Sequence, residues 1–446
     1  MKCEYESVLE YFTGNEVRGM RHNSEDQGTR YNNGRRILMI AFHYPPILGS
    51  SGVHRTLKFS SYLPEFGWQP IVLTVNERAY PKIDKRRLSE IPAGLIIKRA
   101  FGLDASQHYS IKGAHPKVLA LPDRWVTWWF GGTLAGIRLI RKYNPSFIWS
   151  TYPIATAHLI GLTLHTLTGI PWVSDFRDPM TEDEYPRDLM TRRVHGWIES
   201  KTVHHCASAV FTAPGALRLY ASRYPNVPKS HWVLIENGYD EVDFQQAASM
   251  ACQRDRSRKV VLVHSGVLYP LERDPSAFFA ALRDLRKSGQ LDPRTIRIVL
   301  RASGNEGHYR RRITEYGIDD IVHIGQALPY REALAEIINA DGLLILQSSS
   351  CNNQIPAKIY EYIRAGHPIF AMTDPKGNTA TFLKGLSVDT VARLDSIDDI
   401  KKGLINYITR IREGRIHLPT ADEVSRYSRW TKTKQLAQLL DSLSQT

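Results

Sequence analysis

The chain has 446 residues, more than a single hydrophobic core usually organises, so two domains are the first expectation. Apolar residues make up 42% and the mean hydropathy is −0.32, as in an ordinary soluble globular protein, and no apolar run reaches the roughly eighteen residues of a membrane-spanning helix. A formal net charge of +13 favours anionic partners, but the basic residues are dispersed and no zinc-finger spacing, RNP motif or basic heptad region occurs, so nucleic acid is not expected. Nucleotide phosphates and the anionic face of a membrane remain. Cys3, Cys206, Cys252 and Cys351 show neither disulfide nor zinc spacing, and MKCEYESVLEYFTGNEVRG lacks the apolar centre of a secretory signal, so cytosolic residence is the default, with a peripheral place at the inner membrane face as a variant.

Residues 1–33 are polar and read as an extension outside the fold. RRILMIAF predicts a first buried strand at Ile37–Phe42, and HYPPILGSSGVHR after it predicts a glycine-rich loop leading into a helix over Val53–Phe66. Gly49 and Gly52 there would let backbone N–H groups approach an anion, although many α/β units begin this way. WQPIVLTV and GLIIKRA predict the next strands. Trp125, Trp128 and Trp129 precede a helix ending in Arg138, Arg141 and Lys142; they read as core aromatics more readily than as a membrane-docking edge. SFIWST, PWVSDF, AVFTAP and HWVLIENGYD supply further strands. PWVSDF runs into DFRDP, which places Asp175, Arg177 and Asp178 beyond the carboxyl end of a strand, where a parallel sheet binds its ligands.

EVDFQQAASMACQRDRSR is polar and reads as an irregular linker over 241–255. The opening pattern then recurs: RKVVLVHSGVLYPLERDP repeats a basic pair, a strand, a glycine and a Tyr-Pro loop before a helix. TIRIVLRAS, DIVHIGQ, GLLILQSS and HPIFAM alternate with helical segments, so two parallel-sheet Rossmann-like α/β domains are expected to face each other across a cleft, at 34–240 and 256–415. An amphipathic tail at 416–446 would pack back on the first. In the second domain AKIYEYIRA predicts a helix closed by Gly366, with Lys358 and Glu361 on one face of its first turn. A cation and a carboxylate at a helix start suit a ligand with anionic and hydroxyl groups; an exposed ion pair is the bland alternative.

KIYEYIRAGHPI, together with HYPPILGSSGVHR, DFRDP, ENGYD and GVLYPLERDP in that order, resembles the bacterial family 4 glycosyltransferases of GT-B fold, over about residues 35 to 445. The resemblance implies transfer of a hexosyl group from a UDP- or GDP-linked donor, with retention and without a metal or other cofactor, to a glycan or lipid-linked acceptor in surface polysaccharide assembly. It places donor binding at Glu361 (ribose), Arg273 and Lys358 (diphosphate), with Gly266, Asn353, Gln354 and Ile355 around them. Gly49, Ser50, Ser51, Gly52 and Arg55 fall in a loop under the diphosphate or acceptor, and Asp178, supported by Arg177 and Asp175, beside the reacting carbon. The sequence departs from the family at Asn353, where an acid is common, and at Val267, where a basic residue is common. A sugar-nucleotide epimerase and a non-catalytic scaffold on the same fold are the alternatives.

Overall fold

In a computed structural model the structure describes residues 35–49, 52–108, 120–182, 185–251, 259–270 and 272–445. The extension at 1–33, Ser50, Ser51 and residues 252–255 lie outside these.

The chain forms two parallel-sheet Rossmann-like domains. The first sheet contains β1 (Arg35–Ile40), β2 (Trp68–Val75), β3 (Ile96–Ala100), β4 (Phe147–Thr151), β5 (Trp172–Arg177), β6 (Ser208–Phe211) and β7 (Trp232–Leu234), in the order β3-β2-β1-β4-β5-β6-β7. The second contains β8 (Val260–Ser265), β9 (Ile296–Arg301), β10 (Val322–Gly325), β11 (Gly342–Leu346), β12 (Ile369–Met372) and β13 (Val391–Ala392), in the order β10-β9-β8-β11-β12-β13. Strand order reverses beside β1 and beside β8, and such reversals leave a crevice at the carboxyl ends of the strands.

Strands covered on both faces must be apolar at nearly every position, which is why they read as short continuous runs. Along β1, Leu38 and Ile40 enter one core while Ile37 and Met39 enter the core on the opposite face. Helices α1 (Gly52–Tyr62), α2 (Trp128–Tyr143), α3 (Ala155–Thr168), α4 (Leu189–His205) and α5 (Pro214–Arg223) belong to the first domain. Trp125 and Trp128 pack into its core, Trp125 donating from Nε1 to the Ala79 carbonyl at 2.9 Å.

Two expectations need correction. The segment read as an irregular linker at 241–255 is helical in its first part, α6 (Glu241–Met250), capped by the Asp240 carboxylate, which accepts from the Asp243 N–H. Its polar composition misled because its charges are paired: Lys58 reaches Asp240 at 2.7 Å and Asp243 at 2.8 Å, Arg364 clasps Glu241, and Phe244 and Ala247 enter a core of the second domain. The tail is two helices rather than one.

The second domain adds α7 (Ser276–Lys287), α8 (Glu306–Tyr316), α9 (Tyr330–Ile338), α10 (Lys358–Ala365), α11 (Asn378–Gly385) and α12 (Ile397–Glu413). After α13 (Ala421–Ser425), Ser428 caps α14 (Arg429–Leu443), whose Leu436, Ala437 and Leu440 join Ile37, Met39 and Trp68 in a first-domain core. Among the described residues no helix is long and apolar enough to cross a membrane.

Candidate functional site

The two crevices face each other. On the second-domain side, β8 ends in a chain reversal at Gly266, whose φ of +124° is strained for any residue with a Cβ. A Cβ there would lie 2.8 Å from Lys358 Nζ, so the ammonium sits directly above the turn. His264, fully buried, donates from Nδ1 to the Leu344 carbonyl at 2.9 Å, which leaves Nε2 as an acceptor for Lys358 Nζ at 3.1 Å. One ammonium proton is fixed in this way and two point elsewhere. Burial, reinforced by Arg273, pushes the Lys358 ammonium well below the ordinary lysine range. Arg273 packs over the Tyr269 ring at 5.1 Å and donates to the Val267 carbonyl at 2.9 Å.

Glu361 stands one helical turn on. The exposed ion pair with Lys358 does not form; Glu361 Oε1 accepts from the Tyr330 hydroxyl at 2.7 Å, leaving Oε2 for another donor. Burial pushes its carboxyl up, opposed by Arg429 and by the Tyr330 bond. The Tyr330 ring lies against His54 of the first domain with centroids 4.1 Å apart, so this corner of the cleft is closed by an aromatic contact between domains. Gln354 is half-buried, its backbone carbonyl accepting from Gln347 Nε2 at 3.3 Å, and Ile355 enters the second-domain core and anchors the loop.

On the first-domain side, the residues of DFRDP divide. Asp175 is fully buried and Arg55 is 4% exposed; Arg55 donates from Nε and Nη2 to the two Asp175 oxygens at 2.9 and 2.8 Å, and Thr151 adds a third bond at 2.9 Å. Arg55 also donates to the carbonyls of Ile235 and Glu236, both at 3.0 Å. Asp175 and Arg55 were expected at the ligand; their hydrogen bonds are turned inward, tying β5 to α1 and to the crossing into the second domain. Arg177 takes a left-handed φ of 59° and donates to the Tyr152 carbonyl at 3.2 Å. Asp178 is half-buried at the cleft wall, and burial pushes its carboxyl up against the pull of Arg177 and of Arg273 opposite. Gly49, with φ of +87°, and the buried Gly52 flank Ser50 and Ser51, which lie outside the described residues.

Glu182 was not anticipated. It follows DFRDP on the first-domain side, and its Oε1 accepts from Asn353 Nδ2 across the cleft at 3.2 Å. Burial raises its carboxyl and the Asp178 charge adds to the rise, so two carboxyls with raised pKa share this wall. A second bond between domains runs from the Gly215 N–H to Asn378 Oδ1 at 2.9 Å. The two histidines were also missed. His43 follows β1 beside Arg177 and is held neutral, its pKa lowered to about 3 chiefly by burial, and His264 is the last residue but one of the corresponding strand, β8, of the second domain. The repeated strand pattern carried this signal, since AFHYP and LVHSG each place a histidine at the strand end. Among the described residues no group of three or more His, Cys, Asp or Glu side chains is placed to hold a metal ion.

No protein-family model matches the sequence, and no curated protein is similar to it at the sequence level. The structure is similar to that of sucrose-phosphate synthase from Thermosynechococcus elongatus, with a TM-score of 0.63 at 13% identity over 92% of this chain and 99% of the other. It is similar to Anabaena HepE in complex with UDP-glucose, also at 0.63 and 13%, over 92% and 100%. A putative UDP-N-acetylglucosamine 2-epimerase from Listeria monocytogenes aligns with a TM-score of 0.57 at 11% identity over 93% and 98%. The fold is therefore GT-B, complete in both halves.

Proposed function

We propose that the protein is a glycosyltransferase that moves a hexosyl group from a nucleotide-diphosphate sugar to a glycan or lipid-linked acceptor in surface polysaccharide assembly, with retention and without a metal. The observation that carries this reading is the first turn of α10, where Lys358, fixed on His264, and Glu361, held by Tyr330, present an ammonium and a carboxylate to one cleft. Glu361 Oε2 would accept a ribose hydroxyl. Lys358, Arg273 and the N–H groups at the start of α10 would take the charge on the departing diphosphate. The bond from the anomeric carbon to phosphate oxygen breaks as the bond to acceptor oxygen forms, and the acceptor proton passes to the leaving phosphate on the same face. Asp178 would hold the acceptor hydroxyl, and Glu182 with Asn353 the hydroxyls of the donor sugar. Two carboxyls of raised pKa on one wall also fit a proton-moving epimerase, whose fold this chain shares.

Incubating the protein with a panel of UDP- and GDP-sugars separates these readings. A transferase releases nucleoside diphosphate with slow hydrolysis of the donor, an epimerase yields an isomeric sugar nucleotide, and a scaffold turns over none.

A further inference from the structure

Where the chain crosses between the domains, α1, the crossing segment at Glu236, Asn237 and Gly238, and the first turn of α14 enclose a small cavity. About 10 Å³ of it is open to the centre of a particle, which admits one species the size of a water molecule. Arg55, Lys58, Arg429 and Lys432 stand on its wall, and Glu236 is the carboxylate among them. All four cations are withdrawn from solvent: Arg55 and Lys432 are 4% exposed, Arg429 7%, and the Lys58 side chain 14%.

Three of these cations are matched from within. Asp175 holds Arg55 at 2.9 and 2.8 Å, Lys58 reaches Asp240 at 2.7 Å and Asp243 at 2.8 Å, and Lys432 reaches Glu236 at 2.9 Å. Because Lys58 takes two carboxylates, Arg429 is left with none among the described residues, and its buried Nε has no hydrogen-bond partner there. The Arg429 charge pulls down the pKa of Glu361, yet Glu361 is bonded to Tyr330 instead. A guanidinium in this position is costly on two counts, a charge removed from water and a donor left unused. Other donors are to hand. Lys432 Nζ spends one proton on Glu236 and Lys58 Nζ two on its aspartates, so both keep a proton to give. The N-terminal end of the 15-residue α14 adds its partial positive charge.

We infer that this cavity is a binding site for a single halide ion, chloride under ordinary conditions, held by Arg429 Nε with the ammonium groups of Lys432 and Lys58. Size and charge choose this occupant. Phosphate, sulfate and carboxylate groups are too large for a space that admits one water-sized species, and a water molecule would accept from Nε but bring no charge to Arg429. Bound there, the ion joins α1 of the first domain, the crossing segment and α14, and so fastens the junction on which the two domains are set. The site does not depend on what the cleft binds.

The test is thermal unfolding of the full-length protein in sodium chloride and in sodium gluconate at equal ionic strength, so that general screening is the same in both and the larger anion cannot enter. Chloride raises the midpoint by about 2 °C or more over gluconate, the rise saturates with chloride concentration, and Arg429→Gln removes it. Crystals of the wild type soaked in bromide show an anomalous peak beside Arg429 and Lys432, a reading that stands even if the variant does not fold. Equal midpoints in the two salts, a chloride-dependent rise that Arg429→Gln retains, or a bromide-soaked crystal with only water in the cavity would overturn the inference.

Discussion

Asn353 of the second domain and Glu182 of the first meet across the cleft at 3.2 Å, in a bond that exists only when the domains are closed on each other. The position where the resemblance leads one to expect an acid is thus an amide here, and a carboxylate reaches it from the opposite wall. Glu182→Gln should lower kcat for transfer by about tenfold to a hundredfold, the range in which a single positioned polar contact acts, while nucleoside-diphosphate affinity stays within about twofold. Adding Asn353→Glu to that variant returns a carboxylate from the other side and should recover part of the loss. Steady-state kinetics of the three variants decide the matter; an unaltered kcat in Glu182→Gln removes Glu182 from the site.

The ammonium of Lys358 is displaced well below its ordinary range by burial and Arg273, yet the proposed diphosphate contact needs its charge. Binding a diphosphate therefore draws a proton onto Lys358 at pH values above its lowered pKa, and affinity should fall as pH rises through that value. Calorimetry of UDP in buffers of different ionisation enthalpy should show proton uptake in the wild type and none in Lys358→Arg, whose guanidinium stays charged.

Arg55 and Asp175 form a buried pair whose removal would leave a charge without its partner. Asp175→Asn should cost about 3–5 kcal/mol of stability, read as a large fall in denaturation midpoint, with nucleotide affinity near wild type below the transition. A variant with an unchanged midpoint and lost turnover would instead place Asp175 in the chemistry.

His158 and His264 are fully buried and held neutral; burial lowers the pKa of His158 to about 3 and that of His264 well below 6.5. Below about pH 6.5 the unfolded chain binds protons at these positions that the folded chain refuses, so stability falls as pH drops, by up to about 1.4 kcal/mol per pH unit for each. Urea unfolding between pH 7 and pH 5 should show this slope, and a flat profile would contradict the neutral assignments.

Much of the fold was legible because buried parallel strands are short apolar runs and the two halves repeat one pattern; WQPIVLTV matches β2 residue for residue. The helix at Glu241–Met250 was not, because its apolar face is narrow and its acids find their cations in other parts of the chain. Lys358, Glu361 and Asp178 could be singled out because their element ends are marked by Pro356, Gly366 and Pro179. The true setting of Asp175 could not, since its partner Arg55 lies 120 residues away in sequence. Glu182 was hidden for the same reason: its place opposite Asn353 is a property of the closed cleft, not of any local pattern.

The central claim is that the first turn of α10 binds a nucleotide-diphosphate sugar. A thermal-shift screen of UDP- and GDP-sugars on the wild type, Glu361→Ala and Lys358→Met tests it most directly, because a ligand of the native state raises its midpoint. At least one donor should raise the wild-type midpoint, and both substitutions should remove most of that rise. No rise with any donor, or a rise that survives intact in both variants, would contradict the account.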